Sequence, residues 1–415
     1  MLSISKIFFG LFLFVVLLEI PALQLFKMGD ELVVFLFLLL IALDLAVNRD
    51  FRRYKALFVV EGVFLFYLVF TIFFRDFNTT GAAINDFILE QKAFIPFLIA
   101  YAICPRFTPG MKTVLKWACV VTVLVLVLIF VSGMTRVILG HVFHYGTISL
   151  SMSLLYLYCS LDEDGKVSQR DMIVAIVLLS AGLMSTRSKF YGEYVVALFM
   201  FFIYRPGMVR NMNIKHAMVL AIGLFFVIFV AWKKINYYFI TGNSGVYDPN
   251  VLQSYARPAL YLGMFMILVD YPIFGSGLAS FANHSSSPNV NYSSAYYEYG
   301  LDKVYGLSYN MHSFISDTYY PVLAQFGLIG IALFVYFYVW IWQKLRVALH
   351  KGRVLEFSMG VIVIAFVLIE SVAGTTILQI GGYMPMMLLG MIVGKYRTMG
   401  KAERKQIYSL DYIKN

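Results

Sequence analysis

Apolar stretches close to 20 residues long recur along this chain with almost no charge inside them, and that repetition limits what the backbone can do. A helix of ~20 apolar residues is as long as the hydrocarbon core of a bilayer is thick. No water reaches a backbone N–H or C=O there, so such stretches fold as membrane-spanning helices that satisfy their own hydrogen bonds. Twelve candidate spans follow, near residues 5–24, 31–48, 56–74, 87–104, 114–132, 146–160, 172–185, 190–204, 217–232, 316–341, 357–374 and 381–394. Only 13% of the residues are charged, against ~25% in soluble domains. The expected fold class is an all-α polytopic membrane protein. The opening "MLSISKIFFGLFLFVVLLEI" has one basic residue and no small-x-small cleavage site, so it reads as a retained first span.

The connections alternate in charge. "NRDFRRYK" (48–55), "CPRFTPGMK" (104–112), "RPGMVRNMNIK" (205–215), "QKLRVALHKGR" (343–353) and the tail from Lys395 are basic. The positive-inside rule places them, and both termini, in the cytoplasm, which needs an even number of spans. The net charge of +10 is spent in these short loops, so no nucleic-acid partner is expected; the bilayer is. Cys104, Cys119 and Cys159 lie in or beside apolar runs and suggest no disulfide framework. The chain divides into nine spans over 1–232, a large outward segment over 233–315, three spans over 316–394 and a basic tail over 395–415.

One outer turn breaks the charge rule. "LMSTRSKFYGEYVVALF" (183–199) carries Arg187, Lys189 and Glu193 within seven residues. Either the two cations snorkel to outer head groups, or they face a polar cavity and hold an anion, with Glu193 orienting one of them. The segment 233–315 is equally unusual, with twelve of the 29 tyrosines. Within it, "RPALYLGMFMILVDYPIFGSGL" (257–278) reads as an Arg257-led helix, with Ser254 as cap and Pro258 in its first turn. Its apolar run, 259–269, is too short to span and belongs at the outer interface or over the bundle. "ANHSSSPNVNYSSAYYEYGLDKVYGLSYNMHS" (282–313) has no helical period and reads as a loop. Its tyrosines suit either a membrane interface or sugar rings.

His312 stands where the outer segment returns to the membrane, followed by Asp317, Tyr319 and the small-residue element "GLIG" (327–330), which permits close helix contact. A lone His at such a place serves as a structural hydrogen-bonder or as a base. Asp317 needs a cation or water, and Glu370, deep in an apolar run, needs a partner or a proton. Asp44 and Glu61 lie near the basic ends of their spans. His141 and His144 are too isolated for a zinc site, and no P-loop is present, so neither metal nor nucleotide cofactor is expected.

Three pieces together resemble the O-antigen polymerase and ligase superfamily: the Arg-containing bend "STRSKFYGEY", the Arg-led helix closed by a Pro and Gly turn, and the His before "GLIG". They cover roughly residues 172–340; "FILEQKAFIPFLIAY" (87–101), where Lys92 enters an apolar run, adds a weaker likeness. The resemblance implies a GT-C-like fold of about twelve spans and an inner-membrane enzyme whose active site faces the periplasm. It would transfer a glycan from undecaprenyl pyrophosphate to an acceptor hydroxyl: on another repeat unit in a polymerase of O antigen, capsule or exopolysaccharide, or on lipid A core in a ligase. Arg187 and Arg257 would clamp the pyrophosphate, with Lys189 and Lys92 adding charge and Glu193 and Tyr319 lining the site. His312 is one candidate base. Nine residues separate the His-polar pair from the glycine in many relatives; here thirteen separate His312-Ser313 from Gly327, and the nine-residue spacing falls on Ser316-Asp317, so Asp317 is the other. A chain-length regulator is an implied membrane partner. The rival class is a lipid-linked glycan flippase or small-solute transporter, disfavoured by the absence of a visible repeat between the halves.

Overall fold

A computed structural model of the chain describes residues 4–18, 29–140, 143–204 and 255–397, together with Pro206 and Trp232. The expected span 217–232 apart from Trp232, the basic loop 205–215 apart from Pro206, residues 233–254 including Ser254, His141 and the tail beyond Arg397 lie outside the described residues. Among the described residues there are helices and turns and no strand. The helices are α1 (Ile4–Leu18), α2 (Gly29–Asn48), α3 (Lys55–Phe74), α4 (Thr80–Gln91), α5 (Ile95–Ile103), α6 (Pro109–Val131), α7 (Thr135–Leu139), α8 (Phe143–Ser160), α9 (Gln169–Ala181), α10 (Ser188–Leu198), α11 (Ala256–Asp270), α12 (Ala295–Glu298), α13 (Gly327–His350), α14 (Val354–Val372) and α15 (Ile380–Gly394). Four helical segments, Phe51–Phe74, Pro109–Val131, Tyr320–His350 and Val354–Val372, are long and apolar enough to cross a membrane. Ile4–Leu17, Leu32–Asn48 and Gly381–Gly394 are shorter apolar helices. The chain is a membrane protein by this measure.

Local sequence accounts for several boundaries. Thr108 accepts from the Met111 N–H at the start of α6, with Pro109 inside the first turn, and Ser168 accepts from Asp171 N–H at the start of α9. The apolar run 87–104 is not one continuous helix. It breaks at Lys92, and α5 restarts with Pro96 in its first turn. The break has a polar cause: Asp86, Glu90, Gln91 and Lys92 are all buried, turned toward protein rather than lipid. By contrast, α5 is buried on every side from Ile95 to Ile103, so it is an interior helix. It packs on α15 at backbone contact. A Cβ on Gly390 would lie 2.3 Å from Phe97 O, and one on Gly394 2.9 Å from Tyr101 O.

Residues 279–283, in the second half of the long polar segment, dock on this bundle. Asp86, fully buried on α4, accepts from Ala279 N–H at 2.7 Å and from Asn283 Nδ2 at 2.5 Å, which pins 279–283 to the helix. Tyrosines build much of the segment's own packing: Tyr292 stacks on Tyr296 at 5.0 Å, and the buried Tyr296 hydroxyl accepts from Ala282 N–H at 2.9 Å. Tyr297, Tyr305 and Tyr309 stay exposed. So the tyrosine-rich composition serves two ends, an internal core and an outer surface.

The turn after α11 serves as the cap of α13. Helix N-termini leave backbone N–H groups without intrahelical acceptors. Here Leu328 N–H donates to Pro272 O at 2.8 Å and Ile329 N–H to Ile273 O at 3.2 Å. Gly275 (φ +73°) and Gly327 (φ +61°) sit backbone against backbone: a Cβ on Gly275 would lie 2.3 Å from Ala324 O, and one on Gly327 2.4 Å from Gly275 N. The first glycine of "GLIG" therefore admits a turn rather than a neighbouring helix. Gly275→Ala is expected to combine backbone strain with overpacking, about 1–3 kcal/mol each, because the obstructing atoms are backbone and cannot swing aside. A thermal midpoint in detergent within a degree of wild type would remove this account.

Candidate functional site

The chemistry-bearing residues gather at the C-terminal end of α14, in "LIESVAGTT" (368–376). Helix ends leave carbonyls unsatisfied and carry partial negative charge, so donors and cations collect there. Four residues from three parts of the chain do so. Tyr320 Oη donates to Leu368 O at 2.8 Å, and Tyr319 N–H to Ser371 O at 3.1 Å. Tyr261 Oη, from α11, donates to Val372 O at 2.8 Å. Lys189 Nζ, from the first turn of α10, donates to Ala373 O at 3.0 Å. Thr375 Oγ1 in turn donates to Ser316 O at 3.2 Å.

Two ion pairs flank this end. Lys189 Nζ lies 2.7 Å from Glu370 Oε2, which also accepts from Thr376 Oγ1 at 2.8 Å. The pair is enclosed, with the Glu370 side chain 6% exposed. Glu193 follows Lys189 by four residues, so both project from one face of α10. It is buried beside Glu370, and its carboxyl oxygens accept no hydrogen bond. Lys189 thus points into the protein and does not snorkel. Its ammonium pairs with Glu370 of α14, and its charge also acts on Glu193. The second pair is more open. Arg257 Nε donates to Asp317 Oδ2 at 2.7 Å and a second guanidinium nitrogen meets the same oxygen, with side chains 36% and 30% exposed. Asp317 is adjacent to Ser316, so the Thr375 bond ties this pair to the same hub.

The remaining expected residues divide. Arg187 precedes α10 as its N-cap, half-buried, two residues from Lys189 and following Thr186, whose φ is +52°. Tyr319 is buried under the hub, near Glu90. Lys92 is buried at the α4–α5 corner. Loss of water around His284, and then the Lys92 charge, lower the His284 pKa, which places the Lys92 charge beneath the outer segment. His312 is not brought to the hub. Its Nδ1 lies 3.0 Å from Tyr309 O in its own turn, the structural role weighed from sequence. Among the described residues no three His, Cys, Asp or Glu side chains form a metal-ligand group.

Sequence reasoning missed the hub itself. Ser371, Gly374, Thr375 and Thr376 form a short run of small and polar residues directly after an acid deep in an apolar stretch, and that run was the available signal. Gly374 is the least replaceable of them, since a Cβ would lie 2.9 Å from Lys189 Nζ and 3.2 Å from Glu370 Oε2. Gly374→Ala is expected to push the ion pair apart and cost about 1–3 kcal/mol, read as a lowered thermal midpoint. An unchanged midpoint would show that the pair shifts freely. The sequence matches no protein-family model and no curated protein.

Proposed function

We propose that this protein is a membrane glycosyltransferase that polymerises polyprenyl-pyrophosphate-linked repeat units into a surface polysaccharide. In this reading twelve spans carry the chain across the inner membrane with both termini in the cytoplasm, and residues 233–315 roof an outward-facing site. One observation carries it. Lys189 of the bend bonds to the end of α14, while Arg257 of the Arg-led helix pairs with Asp317, whose neighbour Ser316 accepts from Thr375 just past that end. The bend and the Arg-led helix are two of the three pieces in which the chain resembles the polymerase and ligase superfamily, and Asp317 lies between His312 and "GLIG" of the third.

The chemistry suits them. The bond from the sugar anomeric carbon to the pyrophosphate oxygen breaks, its electron pair leaving on the phosphate, while the acceptor oxygen bonds to that carbon and gives up its proton. Cations fixed where charge grows stabilise the transition state more than the ground state. Arg257, half-open to solvent and held by Asp317, is the residue best placed to grip phosphate oxygens, and Arg187 is the second. A guanidinium offers a bidentate fork and keeps its charge in a poorly hydrated site. His312 or Asp317 takes the acceptor proton, or the departing phosphate does.

The test is the purified protein in detergent with its lipid-linked repeat unit and no nucleotide, with products resolved on a gel. A ladder supports a polymerase. No ladder alone, but a conjugate when lipid A core is added, points to a ligase. No transfer to either acceptor, with movement of the lipid-linked glycan across proteoliposome membranes, would make the protein a transporter.

A further inference from the structure

We infer that the protein holds an anionic glycerophospholipid on the side of the basic loops, with its phosphate among Arg52, Arg53, Lys55 and Arg397 and an acyl chain in the groove between α3 and α13. Two cavities meet there. One is a basin of about 810 Å³ in which seven Lys or Arg side chains outnumber three acids, Asp162, Glu163 and Glu356. The other is a groove of about 560 Å³ floored by α5 and walled by Val60 and Val63 of α3 and Phe334 and Phe337 of α13. Arg53 and Arg397 line both. The four cations all stand at one end of the groove, and the remaining lining is almost wholly apolar. That is the shape of an amphiphile.

The cations are prepared for an anion. Arg53 Nε donates to Ala102 O at 2.6 Å and its guanidinium pairs with Asp44 at 3.3 Å, while Arg397 donates to Ala102 O at 2.7 Å, so both heads are fixed. Arg52 and Lys55 are exposed at the mouth. The acids nearby are Asp44, paired with Arg53, and Asp50, whose carboxylate accepts from Arg53 N–H at 3.3 Å; Asp162, Glu163 and Glu356 line the basin, Glu356 paired with Lys395, while among the described residues no acid lines the groove.

Groove depth identifies the occupant. From Lys55 to Tyr67, α3 rises about 18 Å, close to one leaflet, half of a ~30 Å hydrocarbon core. The far end is closed: Tyr67 Oη donates to Phe326 O at 2.7 Å, and the Phe326 ring abuts Tyr67 and Phe64. A polyprenyl donor would carry its pyrophosphate at the opposite face and overrun a blind groove of this length. A phospholipid of the near leaflet fits head and chain together. Cations at a membrane surface favour anionic lipid by a few-fold each.

The test is native mass spectrometry of the full chain in detergent, titrated with phosphatidylglycerol and phosphatidylcholine of matched chains. Phosphatidylglycerol is expected to remain bound while phosphatidylcholine is shed. Arg52→Ala/Lys55→Ala should weaken the phosphatidylglycerol adduct about thirtyfold, and Val63→Trp, which fills the groove from its wall, should remove it with the cations intact. If Val63→Trp fails to fold, Leu333→Trp on the facing wall replaces it. Equal retention of both lipids, no retention of either, an adduct that survives the tryptophan, or displacement by equimolar polyprenyl phosphate each overturns the proposal.

Discussion

Lys189→Met is expected to abolish product formation and to destabilise the bundle by about 3–5 kcal/mol, the usual cost of leaving half of a buried ion pair behind. The partner it strands, Glu370, is 6% exposed, and the buried Glu193 stands beside it with no hydrogen bond to its carboxyl oxygens. Without the ammonium, two buried carboxyl groups stand side by side with no cation on Glu370, and Ala373 O at the end of α14 loses a donor. The double variant Lys189→Met/Glu370→Leu separates the two consequences. Removing both charges relieves the uncompensated one, so stability should return to near wild type, as apolar replacement of whole buried pairs commonly allows. Activity should stay absent if the lysine also serves the site. Recovery of activity along with stability would assign the pair to architecture alone. The measurements are thermal midpoint in detergent and the polymer ladder, run on the same preparations.

Arg257→Ala is expected to do the reverse, with a large loss of activity and a small loss of stability. Its pair with Asp317 is one-third exposed on both sides, and such pairs contribute at most about 1 kcal/mol. A cation that meets charge growing on a leaving group is worth far more to the rate, on the order of 10²–10³-fold. Arg257→Lys should fall between, since it retains the charge but not the fork. Asp317→Asn tests the partner's role: if Asp317 orients the guanidinium, the variant loses less activity than Arg257→Ala; if it is the base, it loses as much. Full polymer from Arg257→Ala would remove the pyrophosphate clamp, and a matched fall in stability and activity would reduce the pair to a structural tie.

Much of the fold was legible because the signals are local. The Pro and Gly run after α11 announces a turn, whereas α6 begins at Pro109, inside the stretch 104–112 that reads as a loop. The apolar runs announce helices in a bilayer. The break at Lys92 was less legible, since its cause is long-range: Asp86 is bound by residues almost 200 positions away, which turns one face of α4 from lipid toward protein. Likewise "GLIG" signalled close approach, but not that Gly327 would meet the backbone of Gly275.

The charged residues divide along the same line. By itself the sequence determined that this is an all-helical membrane protein, that an acid such as Glu370 or Asp317 inside its apolar half needs a partner, and that the bend at 187–193 carries charge with no local excuse. Only the tertiary structure decided the partners: Lys189 with Glu370 across 181 positions, Arg257 with Asp317 across 60, and His312 turned to its own loop. The reason is geometric. Periodicity states which residues share one face of one helix, whereas an ion pair between helices depends on each helix's rotation and axial register, and those are set by packing contacts spread over the whole bundle.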